Sequence, residues 1–163
     1  TNLSMDLSNI QSIRVQDSEE MFNETIKYFK NSDVIICSAA ISDFKPIQAV
    51  KNKIKKEKGL KSIKLEPTKD ILQELGKIKT SQFIVGFALE TDNFISNAKN
   101  KLKSKNLDAI VVNKIDDFNP ISSDYNQIDF INSDLKITSF EKKLKTDVSG
   151  DILNQIIKNV KKT

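Results

Sequence analysis

The densest chemistry in the sequence is cationic. Between Lys51 and Lys64 there are seven Lys and one acid, Glu57, a local net charge of +6. At its centre, in Lys53-Ile54-Lys55-Lys56, alternation would put Lys53 and Lys55 on one side of an extended segment. A lysine-bearing loop can fold over a triphosphate and neutralise charge in a transition state. Its plainer reading is a solvated Lys-rich loop. Further on, Lys99, Lys101, Lys103 and Lys105 mark a helical stretch, with Lys101 and Lys105 four apart on one face. Like charges at that spacing cost about 0.2–0.5 kcal/mol, and an anion between them would reverse the sign. Alternatively these lysines simply complement the helix C-terminus. Asp43, in Ser38-Ala39-Ala40-Ile41-Ser42-Asp43-Phe44-Lys45-Pro46, could accept from a ribose or base or help hold a metal, or it could merely open a turn. Lys69 and Asp70 begin a helix whose free N–H groups can hold a polar ligand. Phe87 could lie against a base or belong to the core. Gly86 beside it is costly inside a strand unless something packs closely on it.

These residues are placed by an alternation of strands and helices. Ile10 to Val15 reads as a strand, and Asp17 caps a helix to about Lys30 with Glu20 at the capping-box position. Met21, Phe22, Ile26 and Phe29 form that helix's apolar face. Asp33 to Ala40, Gln82 to Phe87 and Asp108 to Val112 read as short strands buried on both faces. Ser62 to Leu65 is a further strand candidate. Pro67 and Thr68 open a helix with Ile71, Leu72, Leu75 and Ile78 inward. Thr91 or Asp92 starts another, with Ile95, Ala98 and Leu102 on one side. Gln127–Ile131 and Leu135–Phe140 alternate with period two around Asn132-Ser133-Asp134, the signature of a hairpin. A last helix runs from about Asp147 to Val160, with Val148, Ile152, Ile156 and Val160 on one stripe. The expected fold is α/β: a doubly wound, mostly parallel sheet with helices on both faces (Rossmann-like), plus a C-terminal antiparallel hairpin. In such sheets ligands sit outside the carboxyl ends of the strands.

Composition bounds the function. The 163 residues suit one domain, which can bury about two-thirds of its unfolded surface. There is no His, hence no Ser-His-Asp or Cys-His machinery and no His metal site. The one cysteine, Cys37, allows no internal disulfide and reads as a small core residue, which fits a reducing cytoplasm. Neither G-x-G-x-x-G nor a P-loop occurs. No apolar run approaches the roughly 20 residues of a membrane span, and no membrane partner is expected. The net charge is +4, so the residues outside Lys51–Lys64 sum to −2. That basic stretch has no aromatic, which argues for a small polyanion and against RNA stacking, so no nucleic-acid partner is expected. An RNA-binding domain using Lys51–Lys64 and a non-catalytic nucleotide- or polyanion-binding module remain the competing readings.

Five stretches occur in one order: Ala39-Ala40-Ile41-Ser42-Asp43-Phe44-Lys45-Pro46, Lys53-Ile54-Lys55-Lys56, Lys69-Asp70-Ile71-Leu72, Val85-Gly86-Phe87-Ala88-Leu89-Glu90-Thr91 and Lys105-Asn106-Leu107-Asp108-Ala109-Ile110-Val111-Val112-Asn113. Together the chain resembles the phosphopantothenate–cysteine ligases, often the C-terminal half of a bifunctional coenzyme A biosynthesis protein in bacteria. The resemblance implies ligation of 4′-phosphopantothenate and cysteine through an acyl-cytidylate made from CTP, with magnesium accompanying the nucleotide. It suggests Lys53 for charge stabilisation, on a flap. Asp43 and Lys69, Asp70, Ile71 and Leu72 would take the cytidine part, Phe87 would line the nucleotide pocket, and Lys101 and Lys105 would contact phosphates. Ala39, Ala40 and Asn113 would meet substrate. It further implies a cytoplasmic homodimer and a fused or partner decarboxylase domain. Lys45 stands where Arg is usual, Leu89 where Ala is usual and Lys114 where Asp is expected. The family's upstream Gly-rich unit, which holds an Asn linked to the second step, is not among these residues. Thr1-Asn2-Leu3 resembles the continuation of a Gly-Pro-Thr. One N-terminally incomplete ligase domain over residues 1–163 is therefore expected.

Overall fold

The computed structural model describes residues 9–47, 62–90, 93–114 and 123–161. Contacts divide the chain into two compact units, Thr1–Tyr28 with Ile41–Lys69, and Phe29–Ala40 with Asp70–Thr163.

Most of helix α1 (Ser18–Phe29) belongs to the first unit. Asp17 Oδ1 accepts from the Glu19 and Glu20 N–H groups at 2.9 and 2.8 Å, and Glu20 accepts from the Gln16 N–H at 2.8 Å. The reciprocal cap read from the sequence is thus present, shifted by one residue on its return arm. The expected strand over Ile10–Val15 does not form. Gln11, Ile13 and Val15 alternate as a strand would, but they line a cleft of about 340 Å³ against Met21, Glu24, Thr25 and Tyr28 of α1. No strand among the described residues pairs with that segment, so no ladder exists. The unit's other element is an antiparallel ribbon of β2 (Phe44–Pro46) and β3 (Leu65–Pro67). The expected Ser62–Leu65 strand therefore starts later. Phe44, Pro46, Leu65 and Pro67 form one exposed face. The Thr68 N–H to the Asp43 carbonyl (2.8 Å) and the Ile47 N–H to the Lys64 carbonyl (3.1 Å) extend the ladder.

The second unit is built on a five-stranded sheet in the order β1-β4-β5-β7-β8. β1 (Val34–Cys37), β4 (Phe83–Glu90) and β5 (Ala109–Lys114) are parallel, as expected. β7 (Ile128–Asn132) and β8 (Ile137–Ser139) form the expected hairpin and continue the sheet antiparallel to β5. Helices cover both faces. On one, Phe83, Val85, Ala109, Val111, Ile128 and Phe130 pack with Val148, Ile152 and Ile156 of α4 (Lys145–Val160). On the other, Leu72 of α2 (Ile71–Ile78) lies over Gly86 together with Leu107, which follows α3 (Phe94–Ser104).

Several details depart from the sequence expectation. β1 is not buried on both faces, and Ile36 is 42% exposed, because β1 is the edge strand of the sheet formed by the described residues. β7 does not alternate: Ile128 to Ile131 are all buried, since β5 and β8 flank it inside a two-faced sheet. Ile78 and Val160 reach 47% and 37% exposure at the last turns of their helices, beyond the layers they cover. α3 begins at Phe94 after Asn93 in the left-handed region (φ 47°). The starts expected for it, Thr91 and Asp92, lie outside the described residues.

One polar clamp closes the amino ends of the strands. Asp108 accepts from Lys79 Nζ at 2.6 Å and from the Ile84 N–H at 2.7 Å, and both charged side chains are largely covered. Asp108→Ala would strand a buried N–H and an enclosed ammonium, so it is expected to destabilise by about 2–3 kcal/mol in urea denaturation. An unchanged midpoint would refute the clamp.

Candidate functional site

The residues singled out from the sequence fall in both units. In the first, Asp43 is exposed and its carbonyl caps the ribbon through Thr68. Lys69 Nζ lies 4.8 Å from the Phe22 ring centroid and 3.9 Å from Glu19. Lys45 lies between Glu19 at 3.1 Å and Glu66 at 3.7 Å, and the Glu19 hydrogen bond raises its pKa. Lys53, with the rest of the Lys53–Lys56 cluster, lies outside the described residues.

In the second unit the structure joins two of the expected nucleotide-binding residues. Asp70 is the N-cap of α2. Its Oδ1 accepts from the Gln73 N–H at 3.0 Å, and its Oδ2 accepts from Lys105 Nζ at 2.6 Å. Burial pushes the Asp70 carboxyl up, but the bonds from Lys105 and from the Gln73 and Leu72 N–H groups outweigh it, and the net pKa falls below the usual carboxylate range. The Asp70 carboxyl is therefore ionised at neutral pH. Lys105 owes its reach to backbone packing. α3 ends in a Schellman arrangement: Leu107 N–H bonds to the Leu102 carbonyl (2.9 Å) and Asn106 N–H to the Lys103 carbonyl (3.2 Å), with Asn106 at φ 52°. This corner presses Lys105 against Gly76 in the middle of α2, where a Cβ would stand 1.9 Å from the Lys105 carbonyl oxygen. From there the lysine side chain runs back along α2 to its N-cap. Lys101 lies one turn earlier on α3 and is half-buried.

Other expected residues are placed separately. Ile71 is buried under α2, and Leu72 packs on Gly86, so the glycine is there because something does pack closely on it. Phe87 is half-buried against the α4 cluster, on the opposite sheet face from Leu72. It is not brought to the Asp70–Lys105 pair. Ala39 and Ala40 are exposed just past β1. Cys37, at the carboxyl end of β1, is half-buried. It is therefore not the core residue expected; burial first, then the nearby Asp70 charge, raises its pKa. Asn113 ends β5, and its Oδ1 accepts from Asn126 Nδ2 at 2.9 Å. Asn126 escaped the sequence reading: it is one polar residue in a polar stretch, and only the pairing of β6 (Tyr125–Asn126) with β9 (Lys143–Leu144) brings it there. No group of three or more acidic or sulfur ligands among the described residues could hold a metal.

The arrangement is a helix N-terminus, which can receive an anion, joined by one lysine, Lys105, from the end of α3 and placed by backbone packing near the carboxyl end of β1. A family model described as the DNA/pantothenate metabolism flavoprotein C-terminal domain matches residues 1–160. The chain belongs to this family. Among relatives of the family, it is 34% identical over 158 residues to the coenzyme A biosynthesis bifunctional protein CoaBC of Haemophilus influenzae, covering 95% of this chain and 39% of that protein. With the Bacillus subtilis protein of the same name it shares 36% over 152 residues, covering 93% and 37%. A cysteine/cysteine sulfinic acid decarboxylase from an unknown prokaryotic organism is 42% identical over 151 residues, covering 91% and 42%. The chain thus spans about two-fifths of the curated relatives it matches. The crystal structure of the C-terminal domain of a CoaBC protein superposes with a TM-score of 0.76 at 30% identity, covering 93% of this chain and 66% of that one. A Cab2 variant in complex with phosphopantothenate-cysteine gives 0.62 at 18% identity, covering 88% and 52%, a likeness of fold. No helix among the described residues is long and apolar enough to cross a membrane.

Proposed function

We propose that this domain carries the phosphopantothenate–cysteine ligase activity of coenzyme A biosynthesis. The observation behind this reading is the meeting of Asp70 and Lys105 at an α2 N-terminus, in a chain that belongs to this family and is 34–36% identical to bifunctional CoaBC proteins. In the first step a carboxylate oxygen of 4′-phosphopantothenate attacks the α-phosphorus of CTP. The bond from that phosphorus to the pyrophosphate oxygen breaks, leaving an acyl-cytidylate. In the second, the cysteine amine attacks the acyl carbon, CMP leaves, and the amine proton is lost to solvent. Neither step needs a protein nucleophile or a His, so positioning and positive charge carry the catalysis.

The chain's residues divide that work. Lys101 and Lys105 hold the phosphates. Asp43 with Lys69, Asp70, Ile71 and Leu72 receives the cytidine, and Lys53 stabilises the charge that builds at the α-phosphate. Ala39, Ala40 and Asn113 meet the acid substrate. Magnesium, which would screen the phosphate charge, would be held by the triphosphate, since the described residues bring no acidic cluster to it. We assign decarboxylase activity to a fused or partner domain, the domain itself to the cytoplasm, and its assembly to a homodimer.

Calorimetric titration of the chain with CTP and magnesium, beside ATP and UTP, tests this reading. Selective CTP binding is expected, weakened about tenfold in Lys101→Ala, the value of one charge-assisted hydrogen bond. Equal binding of the three nucleotides, or of none, would count against it.

A further inference from the structure

Asn113 is fixed by a partner that is itself held from behind. β6 and β9 pair antiparallel with Asn126 opposite Lys143, and the Lys145 N–H donates to the Asp124 carbonyl at 2.8 Å. Lys143 Nζ reaches Asp151 Oδ2 of α4 at 2.9 Å. The ribbon that carries Asn126 is therefore bolted to the helix covering the sheet. From it, Asn126 Nδ2 donates to Asn113 Oδ1 at 2.9 Å, both residues being half-buried.

A primary amide carries its acceptor and its donors on different arms. With its oxygen turned to Asn126, Asn113 offers its NH2 on the other side. We infer that Asn126 is a positioning residue, which holds the Asn113 amide so that β5 presents a donor to an oxygen of the acid substrate. An unheld amide would offer its oxygen as readily, and that oxygen would meet a substrate rich in carboxylate, carbonyl and phosphate oxygens. The substrate's identity rests on the ligase reading above, whereas the Asn113–Asn126 bond stands on its geometry.

The test is a double-variant cycle read with two ligands. The parent, Asn126→Ala, Asn126→Asp, Asn113→Ala and the double Ala variant are each titrated with 4′-phosphopantothenate and, separately, with CTP and magnesium. Asn126→Ala is expected to weaken the acid substrate about tenfold, and to add nothing in the Asn113→Ala background, because it acts through that residue. Asn126→Asp keeps the shape but can only accept, so it turns the Asn113 oxygen outward and weakens binding further. CTP affinity stays unmoved in all four variants. Additive losses, or equal losses for CTP, would overturn the inference. So would an unchanged acid-substrate affinity in Asn126→Ala while the parent binds. A parent that binds CTP but no 4′-phosphopantothenate sinks the substrate reading, and this inference with it. The Asn113 side-chain NH2 resonances, assigned by their loss in Asn113→Ala, read the bond without any ligand. They should shift in Asn126→Asp, and fixed resonances would refute the hold on Asn113 whatever the chain binds.

Discussion

Gly76→Ala is expected to lower stability by about 3 kcal/mol in urea denaturation, although alanine is the better helix former. On propensity alone the change would gain about 1 kcal/mol. The added Cβ, however, would stand 1.9 Å from the Lys105 carbonyl oxygen and 2.9 Å from its carbonyl carbon. These are backbone atoms of a helix end tied by its own hydrogen bonds, and Asn106 Nδ2 also donates to the Gly76 carbonyl at 2.9 Å. Neither side can yield by a rotamer change, so α2 and the end of α3 must separate. Two other glycines serve as controls. At Gly86 a Cβ meets the terminal methyls of Leu72 and Leu107 at 2.9 Å, atoms able to move, and the loss should be smaller. At Gly150, in α4, a Cβ meets nothing within 4 Å, and Ala should stabilise by up to about 1 kcal/mol. Stabilisation by Gly76→Ala as well would mean that the two helices do not meet this closely.

Lys105→Ala is expected to weaken CTP binding about 100-fold, more than Lys101→Ala, and Asp70→Asn to change it in the opposite direction. Losing Lys105 removes one charge-assisted hydrogen bond to phosphate, about 1.5–3 kcal/mol. It also leaves the Asp70 carboxylate without its cation, 2.6 Å from where the ammonium stood, to repel an incoming triphosphate. Asp70→Asn keeps an oxygen able to cap α2 through the Gln73 N–H, and releases Lys105 from a full negative charge. It should therefore tighten binding a few-fold, more so at low salt, where the loss of a partly exposed charge is felt most. Titrations of both variants at two ionic strengths check this pair of signs. Tighter binding in Lys105→Ala would remove this lysine from the phosphate site and leave it a purely structural clamp.

Much of the scaffold was legible because its signals are local. Val34–Ile36, Phe83–Val85 and Ile110–Val112 are apolar runs of strand length, and the helices between them repeat their apolar residues every three or four positions. Asp17 and Asp70 announce helix starts by side-chain chemistry acting within three residues. The alternation of these elements sufficed for a parallel sheet covered on both faces, and the five ordered stretches for the family. Where an expectation depended on a neighbour in space, local pattern misled. Ile10–Val15 has a strand's alternation and no strand beside it among the described residues. The period-two pattern of Gln127–Ile131 predicts a half-exposed strand, yet Ile128–Ile131 are all buried, because two strands flank them.

The site divides along the same line. Its residue types, lysines, small residues and acids after the strands, are a property of the chain read linearly. Which of them act together is not. Asp70 finds Lys105 only because Gly76 lets two backbones touch, and Asn113 acquires its orientation from Asn126 only through a ribbon bolted to α4. Periodicity and capping are written within a turn or two of chain. The pairing of distant side chains is decided by close packing, which the sequence shows only once it is folded.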